Sequence, residues 1–239
     1  MNHGTFYGIG IGPGDPELIT LKGARLISAC RNLFVPKART ASESVALAIA
    51  RPLLAPGIRI EELLFPMTMA REELAERWEA AATRVAAVIT AGEDACFLTL
   101  GDPLLYSTYI YLLRALRKII PVLNAVTVPG IMAFGAAAAL TDFPVGEGRE
   151  PVTIVPAADD LTAVRRALKT GGTVVLMKIG KRLPEILDLL AAEGLLESSV
   201  FVSHATMAGQ RIETDLRRLM TEEPETGYLS IILVHANKK

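Results

Sequence analysis

The sequence predicts an α/β protein of two domains, and three observations carry that reading. Short apolar and β-branched runs recur along the whole chain, and helical stretches with apolar residues three and four apart lie between several of them. Strands separated by helices imply α/β layering. The length of 239 residues, 51% of them hydrophobic, suits one large core or two modest ones.

Taken in order, a strand over residues 6–11 ends in a glycine-rich turn. A helix follows over 16–29, with Asp15 placed to cap it and Pro16 at its first position. A strand at 32–35 precedes a helix at 42–50. The helix at 71–90 carries its charges early and its alanines late, so it reads as a surface helix with one core stripe that includes Trp78. A strand at 95–100 breaks at Gly101-Asp102-Pro103, a turn tripeptide, before a helix at 109–117. Residues 119–141 carry no charge, but Pro121, Asn124 and Pro129-Gly130 cut them into pieces shorter than the roughly 20 residues of a membrane span. They read instead as a strand at 125–128, a loop and a helix at 131–140. Beyond the proline- and glycine-rich stretch 142–156, strands are expected at 152–155, 173–177, 200–203 and 229–235, with helices at 161–168 and 183–193. Pro121 interrupts a basic helix end, and a boundary between 118 and 125 leaves strands and helices on both sides. The expected domains are therefore 1–120 and 121–239.

Composition excludes several classes. With 25 basic and 26 acidic residues the net charge is −1, which provides no footprint for nucleic acid or an anionic membrane. Cys30 and Cys96 stand far apart, as do His3, His204 and His235, so neither a disulfide framework nor a metal site is expected. The first residues lack a basic segment followed by a continuous apolar one, which points to a cytoplasmic protein. No G-x-S-x-G elbow or H-E-x-x-H motif occurs, so chemistry resting on binding and orientation fits better than a nucleophilic triad.

Three loops remain as candidates. The first, GIGIGPGD at residues 8–15, places glycines at every second position, where backbone can approach a ligand closely. It is not a dinucleotide fingerprint, because Pro13, Asp15 or Glu17 stands where the third glycine of G-x-G-x-x-G belongs, and no Gly-Lys-Ser/Thr follows to make a phosphate loop. The second is Gly101-Asp102-Pro103 and the third Pro129-Gly130. Each follows a strand, and the carboxyl ends of strands form the ligand crevice of open α/β sheets, so one shared small-molecule site is expected.

Together GIGIGPGDPELITLKGA, TLGDPLLYSTY and TVPGI, in this order and at these separations, resemble the S-adenosylmethionine-dependent tetrapyrrole methylases, and the resemblance runs over nearly the whole chain. It implies two α/β domains in the tetrapyrrole methylase fold, with S-adenosylmethionine in the interdomain cleft, a tetrapyrrole substrate and a homodimer. By position it assigns cofactor contacts to Pro13, Leu100, Gly101, Asp102, Leu105, Met132, Ala133, Met177 and Ala205, most of them through the main chain. The family often has Ser or Thr where Met132 stands. The implied substrate is a polycarboxylate, for which Lys37, Arg39, Lys178, Lys181 and Arg182 are the candidate cations and Tyr106 and Ser107 further contacts. Methyl transfer to a meso carbon is an in-line displacement that needs alignment and exclusion of water, followed by loss of a proton. Tyr106, Ser107 and Asp102 are equally placed to accept that proton, and His204 reads first as a packing residue. Other methylases of the fold, and a non-catalytic module that retains the cofactor cleft, remain open alternatives.

Overall fold

The computed structural model describes residues 3–37, 43–65, 71–157, 160–221 and 227–236, with the side chains of 71–73 left aside. It divides into two compact units, Met1–Met132 and Ala133–Lys239.

The first unit holds β1 (Phe6–Gly10), α1 (Leu21–Ala29), β2 (Asn32–Lys37), α2 (Val45–Ala50), β3 (Arg59–Leu64), α3 (Arg71–Thr90), β4 (Ala95–Thr99), α4 (Tyr109–Ile119) and β5 (Ala125–Val128). Its five strands lie in the order β3-β2-β4-β1-β5, and every pairing is parallel. A parallel sheet needs cover on both faces. On one face Phe6, Phe34, Leu63 and Phe97 pack with Val85 and Ile89 of α3 and with Tyr109 and Leu112 of α4. Tyr109 is fully buried, stacked near Phe6 with ring centroids 5.8 Å apart. Its ring lies directly over the main chain at Gly8, where an added Cβ would overlap its Cε2, Cζ and Cδ2 atoms. The glycine at position 8 therefore serves packing.

The second unit holds α5 (Ala133–Thr141), β6 (Val152–Pro156), α6 (Thr162–Thr170), β7 (Thr173–Met177), α7 (Leu183–Ala192), β8 (Ser199–Ser203), β9 (Arg211–Glu213) and β10 (Ser230–His235). The sheet order is β6-β7-β10-β8-β9. Only the β6 and β7 pairing is parallel, and β10 runs antiparallel to both of its neighbours. Side-chain alternation sorts the core. Val174, Leu176, Phe201, Ile232 and Val234 face α6 and α7, while Val175, Val202, Ile231 and Leu233 face α5.

The structure revises several expectations. The stretch 16–29 is not one helix. Asp15 accepts a hydrogen bond from the Glu17 amide at 2.8 Å and starts a 3-10 turn, Pro16–Leu18. Ile19 and Thr20 are extended, and Thr20 then caps α1 through the Gly23 amide at 3.1 Å. The expected boundary near Pro121 falls too early. β5 pairs with β1 from Phe6↔Ala125 to Ile9↔Val128 and so completes the first sheet, and the division comes after the following loop. The uncharged run 119–141 forms the end of α4, β5, a loop and α5, and among the described residues no helix is long and apolar enough to cross a membrane. β3 and β9 were not foreseen. Both are sheet edges, and RIEELL at β3 carries three charges that mask its apolar positions, while β9 has only three residues. Position 42, expected in the second helix, lies outside the described residues. α2 starts at Val45, capped by Ser44 through the Leu47 amide at 3.4 Å.

Candidate functional site

β4, β1 and β5 are consecutive in the first sheet, with Gly10 opposite Thr99 and Ile9 opposite Val128. The loops after these three strands therefore leave the sheet side by side at its carboxyl edge. They are the three glycine-bearing loops singled out from the sequence. The main chains of the first two bond directly: the Gly101 amide donates to the Gly12 carbonyl at 2.7 Å, and the Gly12 amide returns a bond at 3.3 Å. Gly10 is wedged between the other two loops, where an added Cβ would lie 2.6 Å from the Gly101 oxygen and 2.6 Å from the Gly130 nitrogen. Any side chain at Gly10 or Gly130 would force the loops apart, which is the physical demand for glycine at both positions.

Asp102 fastens the arrangement. It is buried, Oδ1 accepts from the Leu104 amide at 2.8 Å, and Oδ2 accepts from the Gly130 amide at 3.1 Å. Both oxygens are committed to holding the second and third loops, so its carboxylate is not a free acid or base, and a ligand would meet its main chain. Ser107 is also turned inward. Its hydroxyl lies 2.9 Å from Thr99 Oγ1 and accepts from the Tyr109 amide at 3.0 Å. This corrects the expectation that Ser107 faces substrate or takes its proton: the buried hydroxyl links β4 to the start of α4. The chain of contacts ends at Tyr109, whose hydroxyl lies 2.7 Å from Thr127 Oγ1 on β5. Burial pushes the Tyr109 phenol pKa up, and the bond to Thr127 partly opposes this. Thr99, Tyr109 and Thr127 were not foreseen as a set because their relation exists only between two strands and a helix, β4, β5 and α4, brought together by the fold.

Around this scaffold Pro13 is buried, Leu100 and Leu105 are half-buried, and Tyr106 is 40% exposed with a left-handed backbone at φ 51°. Gly101 has φ 69°, and a Cβ there would find no atom within 4 Å. The main chain at Gly101 thus borders open space, as a backbone contact to a cofactor requires. Met132 closes the first unit and is half-buried. Lys37, at the end of β2, is paired with Glu62 of β3 at 2.6 Å, so its charge is already partly matched. Arg39 lies outside the described residues.

In the second unit Ala133, Met177 and Ala205 belong to one apolar cluster, on the sheet face covered by α5. Lys178 follows Met177 with φ 57°, and among the described residues it has no carboxylate partner. Although its side chain is exposed, incomplete hydration of the ammonium pulls its pKa below the usual lysine value. Lys181 is exposed, and Arg182 is occupied by Glu185 at 2.6 Å in the first turn of α7. His204 follows β8 at φ 49° and meets Tyr228 edge-on, with ring centroids 6.5 Å apart.

The residues of this site and the two sheets place the chain in a known class. The family model for Tetrapyrrole (Corrin/Porphyrin) Methylases matches residues 5–219, and the chain belongs to that family. Among its relatives, the cobalt-precorrin-2 C(20)-methyltransferase of Salmonella typhimurium is 33% identical over 233 residues, covering 98% of this chain and 97% of that protein. The precorrin-2 C(20)-methyltransferase of a Sinorhizobium species is 29% identical over 239 residues, covering 97% of this chain and 95% of that one. The same fold occurs in the uroporphyrin-III C-methyl transferase of Thermus thermophilus, solved with S-adenosylhomocysteine, at a TM-score of 0.65 and 20% identity over 97% of each chain.

Proposed function

We propose that this protein transfers the methyl group of S-adenosylmethionine to the C-20 meso carbon of precorrin-2, metal-free or carrying cobalt, in cobalamin biosynthesis, and that it does so as a cytoplasmic homodimer. The observation that carries the reading is the similarity to C(20)-methyltransferases along practically the whole of both chains.

The residues present fit the cofactor. The three loops offer main chain beside open space at Gly101, held in place by Asp102, as a contact made mainly through backbone groups requires. We assign the cofactor contacts to Pro13, Leu100, Gly101, Asp102, Leu105 and Met132 in the first unit, and to Ala133, Met177 and Ala205 in the second. When bound, the cofactor supplies an activated methyl on sulfur. The task of the protein is to hold that methyl in line with the nucleophilic carbon and to keep water away. Loops locked to one another by backbone bonds and by the Asp102 carboxylate suit that task, since little ordering remains to be done on binding. Lys178, without a carboxylate partner among the described residues, and Tyr106, exposed at the same edge as the loops, are assigned to the substrate. Lys37 joins them by exchanging Glu62 for a substrate carboxylate.

The test is to incubate the purified protein with methyl-labelled S-adenosylmethionine and enzymatically made precorrin-2 or its cobalt-containing counterpart. One label incorporated at C-20 is expected. Transfer to neither substrate, or to a different carbon, would overturn the assignment. Sedimentation of the purified protein at twice the monomer mass is the expected result for the dimer.

A further inference from the structure

We infer that His204 accepts the proton released from the meso carbon after methylation, a role that rests on the C-20 reading above. In the second unit four residues other than glycine have left-handed backbones at one edge of the sheet: Lys178 (φ 57°) just after β7, His204 (φ 49°) and Thr206 (φ 63°) just after β8, and Leu229 (φ 53°) just before β10. Because β10 is antiparallel to β7 and β8, its beginning lies at the carboxyl ends of those two strands. Each such conformation persists only where the surroundings enforce it, and such positions gather at functional sites.

The enforcement at His204 is visible. Its amide donates to the Leu229 carbonyl at 3.1 Å, and its carbonyl accepts from the Met207 amide at 2.9 Å. Ser203 before it and Ala205 after it are both buried at 5% exposure. The chain is thus clamped on both sides of one residue, and the imidazole is left half-buried beside Tyr228. Neither ring nitrogen has a hydrogen-bond partner among the described residues. His235 differs: its ring stacks flat on Phe143, with centroids 4.0 Å apart, and its Nδ1 lies 3.3 Å from Thr173 Oγ1. His204 also adjoins Ala205, one of the assigned cofactor contacts.

The proton balance is simple. The electron pair of C-20 forms the new carbon–methyl bond, and the methyl–sulfur bond breaks with its electrons remaining on sulfur. The C-20 hydrogen then leaves as a proton to a neutral imidazole nitrogen, and its bonding pair restores the conjugated double bond. Asp102 and Ser107 are committed to the scaffold, and a phenol such as Tyr106 must lose its own proton before it can take another. Lys178 shares the edge, but its ammonium must likewise lose a proton first.

The experiment compares wild type, His204→Ala, His204→Gln, Tyr106→Phe and Lys178→Met, using precorrin-2 with hydrogen or deuterium at its meso positions. Calorimetric binding of S-adenosylhomocysteine reports an intact fold and cofactor site. For both His204 variants we expect that binding within about twofold of wild type and kcat lowered about 100-fold. Added imidazole should recover part of the rate of His204→Ala, and deuterium should slow that variant, because proton removal has become the slow step. A His204 variant turning over at the wild-type rate overturns the inference. So does a slow variant that is indifferent to imidazole and deuterium, or one that has lost S-adenosylhomocysteine binding. So does a deuterium effect and amine rescue that belong to Lys178→Met, or a deuterium effect that belongs to Tyr106→Phe. Wild-type protein that binds S-adenosylhomocysteine but methylates neither precorrin-2 nor its cobalt form overturns the substrate reading and this role together, whereas the preceding outcomes remove the role alone.

Discussion

Asp102 holds a loop crossing with two carboxylate oxygens, and its replacement separates scaffold from chemistry. Asp102→Ala leaves the Gly130 and Leu104 amides without their acceptors, at a cost of about 1–3 kcal/mol. We expect a lower urea midpoint and weaker S-adenosylhomocysteine binding together, with Asp102→Asn milder because its one carbonyl oxygen can keep one of the two bonds. At Gly8 the expected effect is on stability. Gly8→Ala drives a methyl into the Tyr109 ring and should cost about 1–3 kcal/mol or more, while Gly8→Ala with Tyr109→Leu should recover part of the loss in thermal unfolding. Tyr109 also sets an alkaline limit. Burial raises its pKa in the folded state, so its neutral form contributes stability that is fully present below the unfolded value of about 10 and is lost as pH rises through the folded value. Urea midpoints should fall above about pH 10 in wild type and fall less in Tyr109→Phe. The sequence marked Asp102 as a turn residue and Gly8 as part of a glycine repeat, but what each touches depends on neighbours about 28 and 101 positions away.

At the scale of elements, most strands and helices were legible because their apolar periodicity is undisturbed. β4 is buried at every position, and α3 spans residues 71–90 as its pattern required. Boundaries failed where a polar side chain restarted the chain. Thr20 separates a 3-10 turn from α1, and nothing in the run of apolar residues around it signals the break. Thr20→Ala removes the acceptor for the Gly23 amide and should cost about 1 kcal/mol, read as a lower midpoint in thermal unfolding. The edge strands β3 and β9 were hidden for a different reason: one side of an edge strand is bordered by solvent, so charge is tolerated there and alternation weakens. Arg59 and Glu61 of β3 engage Glu93 and Arg84 respectively, which keeps those charges in place.

For the whole molecule, cofactor binding and stability should be linked. If the loops bind S-adenosylhomocysteine only when folded, ligand at about 100 times its dissociation constant adds about 2.7 kcal/mol. The expected observation is a melting temperature that rises with ligand concentration in wild type and is flat in Gly101→Val, whose side chain would strain the left-handed backbone and project into the open space assigned to the cofactor. By itself the sequence determined the α/β class, the order of nearly all elements and the three loops, because periodicity and turn chemistry are local properties. Only the tertiary structure decided that the loops emerge from three adjacent strands, β4, β1 and β5, that β5 belongs to the first sheet, and that Asp102 and Ser107 face inward. It also brought Lys178, His204 and Leu229 to one edge of the second sheet. Strand order and side-chain direction follow from pairings between residues far apart in the chain, and a pattern read along the chain contains no record of which strand lies beside which.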